Sequence, residues 1–238
     1  MKIALIGYGK MGKAIEQIAI EKGHEIVLKI SDENLQDCTI VNLQKSDVAI
    51  EFTSPESALH NIRMCIDAGV PVVCGTTGWV NEEDKIKKYC EEQNGTLLFS
   101  SNFSIGVNIF FEVNKKLAAL MNEQQDYNVN IVETHHTAKL DAPSGTAITL
   151  AQQIIANFSN KQNWVLGSSA SVNELSITSK RINPAPGTHT VTYTSAIDDI
   201  EITHTAHSRA GFAAGALTAA EFLKDKKGVF SMSDVLKV

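Results

Sequence analysis

Residues 2–12 read KIALIGYGKMG. The run from Lys2 to Ile6 is short and apolar, the type buried on both faces of a sheet. Gly7, Gly9 and Gly12 follow at once in Gly-x-Gly-x-x-Gly spacing. Beyond them Ala14, Ile15, Ile18 and Ala19 recur at helical spacing, and Gly23 reads as the helix stop. EIVLKI, from Glu25 to Ile30, is a second strand. Strand, helix and strand make a βαβ unit with a crossover of suitable length. The glycine spacing alone is a weak sign. Between a strand and a helix it acquires a physical reason. Gly7 permits a tight turn, Gly9 lets backbone approach a pyrophosphate, and Gly12 lets the helix pack close to the sheet.

Outward from this unit the alternation continues. Residues 47–52, 70–74 and 96–100 read as strands. Residues 57–68 read as a helix stopped by Gly69. Asn81 is suited to cap a further helix carrying Ile86 and Tyr89, which Asn94-Gly95 ends. The expected fold class is α/β, a Rossmann-like, doubly wound parallel sheet with helices on both faces. Two small-residue loops, GTTG (75–78) and SSNFSIG (100–106), follow predicted strands. Ligands of open α/β sheets bind at such carboxyl ends, so both loops suit the nicotinamide end of a dinucleotide.

The alternation stops near residue 106. A helix is expected over 107–121 and an alternating strand over 127–134. Strands are also expected over 175–181, 188–194 and 200–207. No helix separates the last three, so antiparallel pairing is expected among them. A final apolar helix over 213–223 can return to the first domain. The division expected is 1–106 plus 210–238 for dinucleotide binding, and 107–209 as an α+β substrate-binding and oligomerisation domain on a mixed or antiparallel sheet.

The densest chemistry is ETHHTAKLDAPSGTA, from Glu133 to Ala147. Glu133 and His135 share one face of the strand, with His136 on the other. Pro143 and Ser144 introduce a helix with Ala147, Leu150, Ala151, Ile154, Ile155 and Phe158 on its buried stripe. Ser144, Gly145 and Thr146 therefore stand at a helix start, where free N–H groups bind a carboxylate, and Lys139 adds positive charge. A zinc site is the first rival. Adjacent histidines point their rings apart, no cysteine completes a set, and Lys139 repels a cation. A Ser144 nucleophile is the second. It lacks a Gly-x-Ser-x-Gly elbow, and a capping role explains it better. An ordinary polar loop is the third.

Composition narrows the classes. The 238 residues carry a formal net charge of −6, which argues against nucleic-acid or membrane-surface binding. No apolar run has the length of a bilayer span or a signal peptide. The four cysteines show no Cys-x-x-Cys spacing and read as reduced thiols in a cytoplasmic protein.

GYGKMG, GTTG, NFSIGVN, the Glu133–Ala147 block and the late HTAHSRAGFAAGAL (His204 to Leu217) together resemble the dihydrodipicolinate reductase family of lysine biosynthesis over nearly the whole chain. The resemblance implies NADH- or NADPH-dependent reduction of 4-hydroxy-tetrahydrodipicolinate, a cyclic dicarboxylate, by a homotetramer. It implies His135 as general acid and Lys139 as second proton donor and carboxylate partner. His136, Ser144, Gly145 and Thr146 are implied at the substrate, with no metal. The candidate cofactor residues are Gly7, Tyr8, Gly9, Lys10, Met11, Gly12, Asp32, Gly75, Thr76, Thr77, Ser100, Ser101, Asn102 and Phe103. Cofactor preference stays open. Asp32 lies about twenty residues beyond Gly12, as a ribose contact should, but Ser31 stands at the expected acidic position and Lys10 is suited to a 2′-phosphate. The loop over 181–189, RINPAPGTH, is richer in proline than the family's usual loop. Two rival functions are another two-domain dehydrogenase of amino-acid metabolism and a dinucleotide-binding sensor without turnover.

Overall fold

The computed structural model of the chain describes every residue except 80, 81, 125, 170 and 209. Its elements, in order, begin with β1 (Lys2–Ile6), α1 (Lys10–Glu21), β2 (Glu25–Ile30), α2 (Ile40–Leu43) and β3 (Val48–Glu51). Next come α3 (Pro55–Asp67), β4 (Val72–Cys74), α4 (Glu83–Glu92), β5 (Thr96–Phe99) and α5 (Ile105–Met121). Then follow β6 (Asn128–His135), α6 (Gly145–Asn157), β7 (Asn163–Leu166), β8 (Glu174–Arg181), β9 (Gly187–Thr194) and β10 (Asp199–Ala206). The chain continues through α7 (Ala210–Phe222), β11 (Gly228–Phe230) and α8 (Met232–Leu236). These elements form two units, Met1–Ile105 with Ala210–Val238, and Gly106–Arg209.

The first unit holds a six-stranded sheet in the order β11-β5-β4-β3-β1-β2. Every pairing in it is parallel. From β1 the chain winds outward one way to β2 and the other way through β3, β4 and β5. Successive strand residues face opposite sides, and both sides are covered. Ala4, Ile6, Ala49 and Val72 meet Ile62 and Cys65 of α3 and Ile86 of α4. Ile3, Leu5, Val48 and Val73 meet Ile15 and Ala19 of α1 and Ala213, Ala216 and Leu217 of α7. Burial on both faces is why these strands are continuous apolar runs rather than alternating ones. Each fully buried Ile or Leu contributes about 1.5–3 kcal/mol relative to exposure. α3 starts at Pro55 after Ser54, a fixed-φ residue at the first helical position. The capping role expected of Asn81 lies outside the described residues. Strand β11, paired with β5, was not expected, because three residues are too few to show a period.

The second unit holds a five-stranded sheet in the order β10-β9-β6-β8-β7. Here the expected antiparallel pairing of the last three strands is corrected. Only β9 and β10 form an antiparallel pair of that kind. β6 lies between β9, to which it is antiparallel, and β8, to which it is parallel. The long connection through α6 and β7 carries the chain back to the start of β8, so a parallel partner is reached without a helix directly before it. β7 is a short edge strand parallel to β8 and was also missed. α5 and α6 supply Val107, Phe110, Leu150 and Ile154 to a core with Val129, Ile131, Ile177, Val191 and Tyr193.

All four cysteines are free thiols; Cys38 is half-buried and the others are buried. Among the described residues no helix is long and apolar enough to cross a membrane.

Candidate active site

The site of the second unit is a continuation of its core. Along β6, Val129 and Ile131 face inward, and the same stripe then continues as Glu133 and His135. Along β8, Leu175 and Ile177 are buried, and Ser179 and Arg181 follow at the same parity. Along the antiparallel β9 the stripe runs backwards from Tyr193 and Val191 to His189 and Gly187. Register brings the polar ends together: Glu133 pairs with Ser179 and with His189, and His135 with Arg181. One end of the inner sheet face is thus apolar and the other carries ionisable groups.

Glu133 is the hub and has no exposed surface. It accepts hydrogen bonds from Ser179 Oγ at 2.6 Å, Arg181 Nη2 at 3.1 Å and the Ser144 amide at 3.1–3.2 Å. Its Oε2 lies 3.3 Å from His135 Nδ1 and 3.8 Å from His189 Nε2. Burial works against the carboxylate charge. Donation by Ser144, Ser179 and Arg181, with His135 nearby, outweighs burial and holds the group below its ordinary pKa. Burial lowers the pKa of His135; Glu133 opposes that shift, while Lys139 and Arg181 add to it. His189 is pushed down to about 4, first by burial and then by His135. The two rings meet edge to face with centroids 5.0 Å apart.

The segment after β6 wraps around this hub. His136 is half-buried just past the strand, and its carbonyl accepts the Lys139 amide at 3.1 Å. Lys139 Nζ is held by both oxygens of exposed Asp141, at 2.7 and 2.8 Å, and this pairing lowers the Asp141 pKa. Arg181 ties the segment down, donating to the Asp141 carbonyl at 2.6 Å and the Lys139 carbonyl at 3.3 Å. Ser144 caps α6, its Oγ accepting from the Ala147 amide at 3.2 Å. Gly145, which is exposed, and half-buried Thr146 open the helix. A helix start of this kind favours an anion.

Sequence reasoning missed Ser179, Arg181 and His189 as members of this cluster. The available signal was strand parity: each is a polar residue at a position where its own strand's alternation demands an inward side chain.

The geometry disfavours both a metal centre and a serine nucleophile. Glu133, His135 and His189 each offer a ligand atom, all within 4.8 Å of one another, a trio the sequence did not foresee. The Glu133 oxygens are already engaged by three donors, one of them the Arg181 cation, which disfavours a metal ion there. Ser144 Oγ does lie 3.1 Å from His189 Nε2. Glu133 approaches that same nitrogen, so this histidine does not link serine to carboxylate through its two nitrogens as an activated serine requires.

The dinucleotide candidates lie in the first unit at strand carboxyl ends. Gly7 has φ +97° and sits against Phe52, whose carbonyl oxygen would be 1.9 Å from any added Cβ. Gly9, the N-cap of α1, is exposed and has nothing within 4 Å of an added Cβ. That open backbone at a helix start fits a pyrophosphate. Lys10 is exposed, Met11 half-buried and Gly12 buried. Tyr8 donates through its hydroxyl to Glu16, which also pairs with Lys29 at 2.6 Å. Met11, Phe52, Thr53, Pro55, Gly75, Thr76 and Thr77 line an open depression of about 350 Å³. Beneath it buried Glu51 accepts from the Thr53 amide at 3.1 Å, and Thr76 Oγ1 accepts from the same amide at 2.7 Å. In the next loop Ser100 Oγ accepts the Asn102 amide at 3.2 Å, Ser101 is exposed and Phe103 is buried. Asp32 is exposed, and Ser31 is turned toward Asn34, which accepts its amide at 2.8 Å.

Comparison with known proteins gives the family. Residues 1–103 match the family model for the N-terminus of dihydrodipicolinate reductase, and residues 106–236 match the one for its C-terminus. A 4-hydroxy-tetrahydrodipicolinate reductase from Christiangramia forsetii is 51% identical, covering 99% of this chain and 98% of the relative. One from Neisseria meningitidis serogroup C is 34% identical, covering 93% and 83%. In fold, the chain resembles a dipicolinate-bound dihydrodipicolinate reductase from Paenisporosarcina sp. TG-14, with TM-score 0.81, 21% identity and 97% of each chain covered. An amine dehydrogenase from Mycobacterium smegmatis is more distant, with TM-score 0.64, 10% identity and coverage of 97% and 94%. Matched through both halves, and 51% identical to a relative along almost its full length, the chain belongs to the dihydrodipicolinate reductase family.

Proposed function

We propose that this chain reduces 4-hydroxy-tetrahydrodipicolinate to tetrahydrodipicolinate, with NADH or NADPH and loss of water, in lysine and diaminopimelate biosynthesis. The observation that carries the reading is local. A buried histidine and a helix start meet at Glu133, and the Lys139 ammonium acts on that histidine, in a family whose relatives bear that enzyme's name. The reduced nicotinamide supplies a hydride. The chain supplies the rest: it holds a dianionic ring, lets the 4-hydroxyl depart as water and delivers one proton.

His135 is the proposed general acid. Lys139 and the amides of Gly145 and Thr146 bind a substrate carboxylate, with Lys139 exchanging Asp141 for it. His136 orients the ring. Gly7, Gly9 and Gly12 hold the pyrophosphate on the first unit, and the loops at 75–77 and 100–103 hold the nicotinamide end. Exposed Lys10 and Asp32 pull cofactor preference in opposite directions, so both cofactors are used. The proposed setting is the cytoplasm. The proposed assembly is a homotetramer through the outer face of the second sheet. There Thr190 and Thr203 hydroxyls bond at 3.0 Å and Thr188 bonds to Thr205 at 3.3 Å, an exposed threonine surface suited to another sheet face.

The decisive experiment follows nicotinamide oxidation by absorbance at about 340 nm, with substrate made in place by the preceding synthase. Oxidation dependent on that substrate supports the reading; none with either cofactor refutes it.

A further inference from the structure

We propose that Glu133 is a positioning residue that fixes the proton of neutral His135 on Nδ1 and leaves Nε2 as the nitrogen that exchanges a proton with substrate. The proposal rests on the functional reading above for what Nε2 does, but the tautomer itself does not depend on it.

The two oxygens of this buried carboxylate have different partners. Oε1 takes the Ser179 hydroxyl at 2.6 Å and the Arg181 guanidinium at 3.1 Å. Oε2 shares the Ser144 amide at 3.1 Å and is the oxygen turned to the histidines. His135 Nδ1 is buried and lies 3.3 Å from it, the two not aligned as a straight hydrogen bond. An unprotonated Nδ1 would set its lone pair against a carboxylate oxygen in a place that excludes water. A proton on Nδ1 turns that repulsion into attraction and gives the buried nitrogen its partner. The other nitrogen faces Gly187, where an added Cβ would sit 3.1 Å from Nε2 and 3.3 Å from Cδ2. Glycine at this position therefore keeps the approach to Nε2 clear. Ser144 reinforces the arrangement: its amide binds Glu133, its hydroxyl meets His189, and it caps the helix proposed to hold the carboxylate. One carboxylate thus couples the orientation of the acid to the position of the anion site.

The same geometry sets a pH signature. The charged groups acting on His135 within this unit are Glu133, which favours the imidazolium, and Lys139 and Arg181, which oppose it; Asp141 adds a smaller favourable contribution. His189, with its own pKa near 4, stays neutral beside it in the working range. Removing the Glu133 charge removes the largest support for a protonated His135.

The test has two arms. In the wild-type enzyme without substrate, ¹⁵N NMR of the histidine side chains, with His135→Gln to assign the signal, should show neutral His135 protonated at Nδ1. A neutral ring protonated at Nε2 overturns the proposal, whatever the activity. In Glu133→Gln, kcat should fall by about ten- to a hundredfold, the size of effect seen when a metal-bound imidazole loses its outer hydrogen-bond partner. The fall of kcat toward high pH should begin at lower pH, while dinucleotide Kd stays unchanged. A folded Glu133→Gln with kcat within twofold of wild type and an unmoved pH profile also overturns it. Failure of the functional reading is distinguishable: the wild type would not turn over, yet the tautomer would still be read.

Discussion

Gly7 and Gly9 stand two residues apart in one motif, and substitution should separate their roles. At Gly9 the backbone is extended, with φ −87° and ψ −151°, and an added Cβ meets nothing within 4 Å. A valine there has room in the folded chain. Its main cost is a poorer N-cap than glycine, about 0.5–1 kcal/mol, or a few degrees in Tm for a chain of this size. Its methyls would occupy the open space over the start of α1, where a pyrophosphate must come close to backbone N–H groups. Dinucleotide Kd should therefore rise at least tenfold, about 1.4 kcal/mol, and a hundredfold would be about 2.7 kcal/mol. Gly7→Ala should do the opposite. Its φ of +97° is unfavourable for alanine, and its Cβ would lie 1.9 Å from the Phe52 carbonyl oxygen. Backbone must move, so a loss of about 4 kcal/mol or more is expected. Urea unfolding and isothermal titration with NADH and NADPH measure both quantities. A folded Gly9→Val that binds dinucleotide like wild type would remove this turn from the cofactor site. A Gly7→Ala as stable as Gly9→Val would refute the steric argument.

His135→Gln should lower kcat by about two to four orders of magnitude, the range for a lost general acid, with a smaller change in KM; near-normal kcat in steady-state assays would move the acid role elsewhere. Lys139→Ala should damage both kcat and KM, since it removes charge and a donor together, and an effect on KM alone would confine it to binding. Asp141→Asn frees Lys139 from an exposed pair and should lower substrate KM by about two- to fivefold, in keeping with the modest strength of such pairs; a raised KM would mean Asp141 holds the lysine in place rather than competing. The folded pKa of His189, near 4, lies below the unfolded value of about 6.5. Between those values the unfolded chain takes up a proton that the folded chain refuses, so stability falls as pH drops from about 6.5 to about 4, by roughly 3 kcal/mol at full extent. Urea midpoints across that range should fall less steeply in His189→Asn than in wild type, and parallel slopes would count against the assignment.

The first unit was readable because its physics is local. Each strand, glycine turn and helix stripe of β1–α1–β2 lies within a short window, and burial on both faces leaves an unbroken apolar run. β11 was not readable, being short and held by a partner far away in sequence. The second sheet was misread because strand order depends on where a long connection returns, and pairing with β6 is parallel for β8 and antiparallel for β9. The block from Glu133 to Ala147 announced His135, Lys139 and the helix start, since these are neighbours along the chain. Arg181, Ser179 and His189 reach Glu133 only through cross-strand register, which local periodicity does not encode.

The placement of α7 bears on how the molecule is made. Its alanine-rich face, with Ala213, Ala216, Leu217 and Ala220, covers one side of a sheet whose strands β1 to β5 are synthesised first. Until residues 210–238 have left the ribosome, Ile3, Leu5, Val48 and Val73 lack part of their cover, and β5 lacks its outer neighbour β11. The whole of Gly106–Arg209, by contrast, is available as one uninterrupted stretch of chain before that moment. Vectorial synthesis therefore favours completion of the unit that carries His135 first, with the six-stranded parallel sheet closing last around a helix that arrives late.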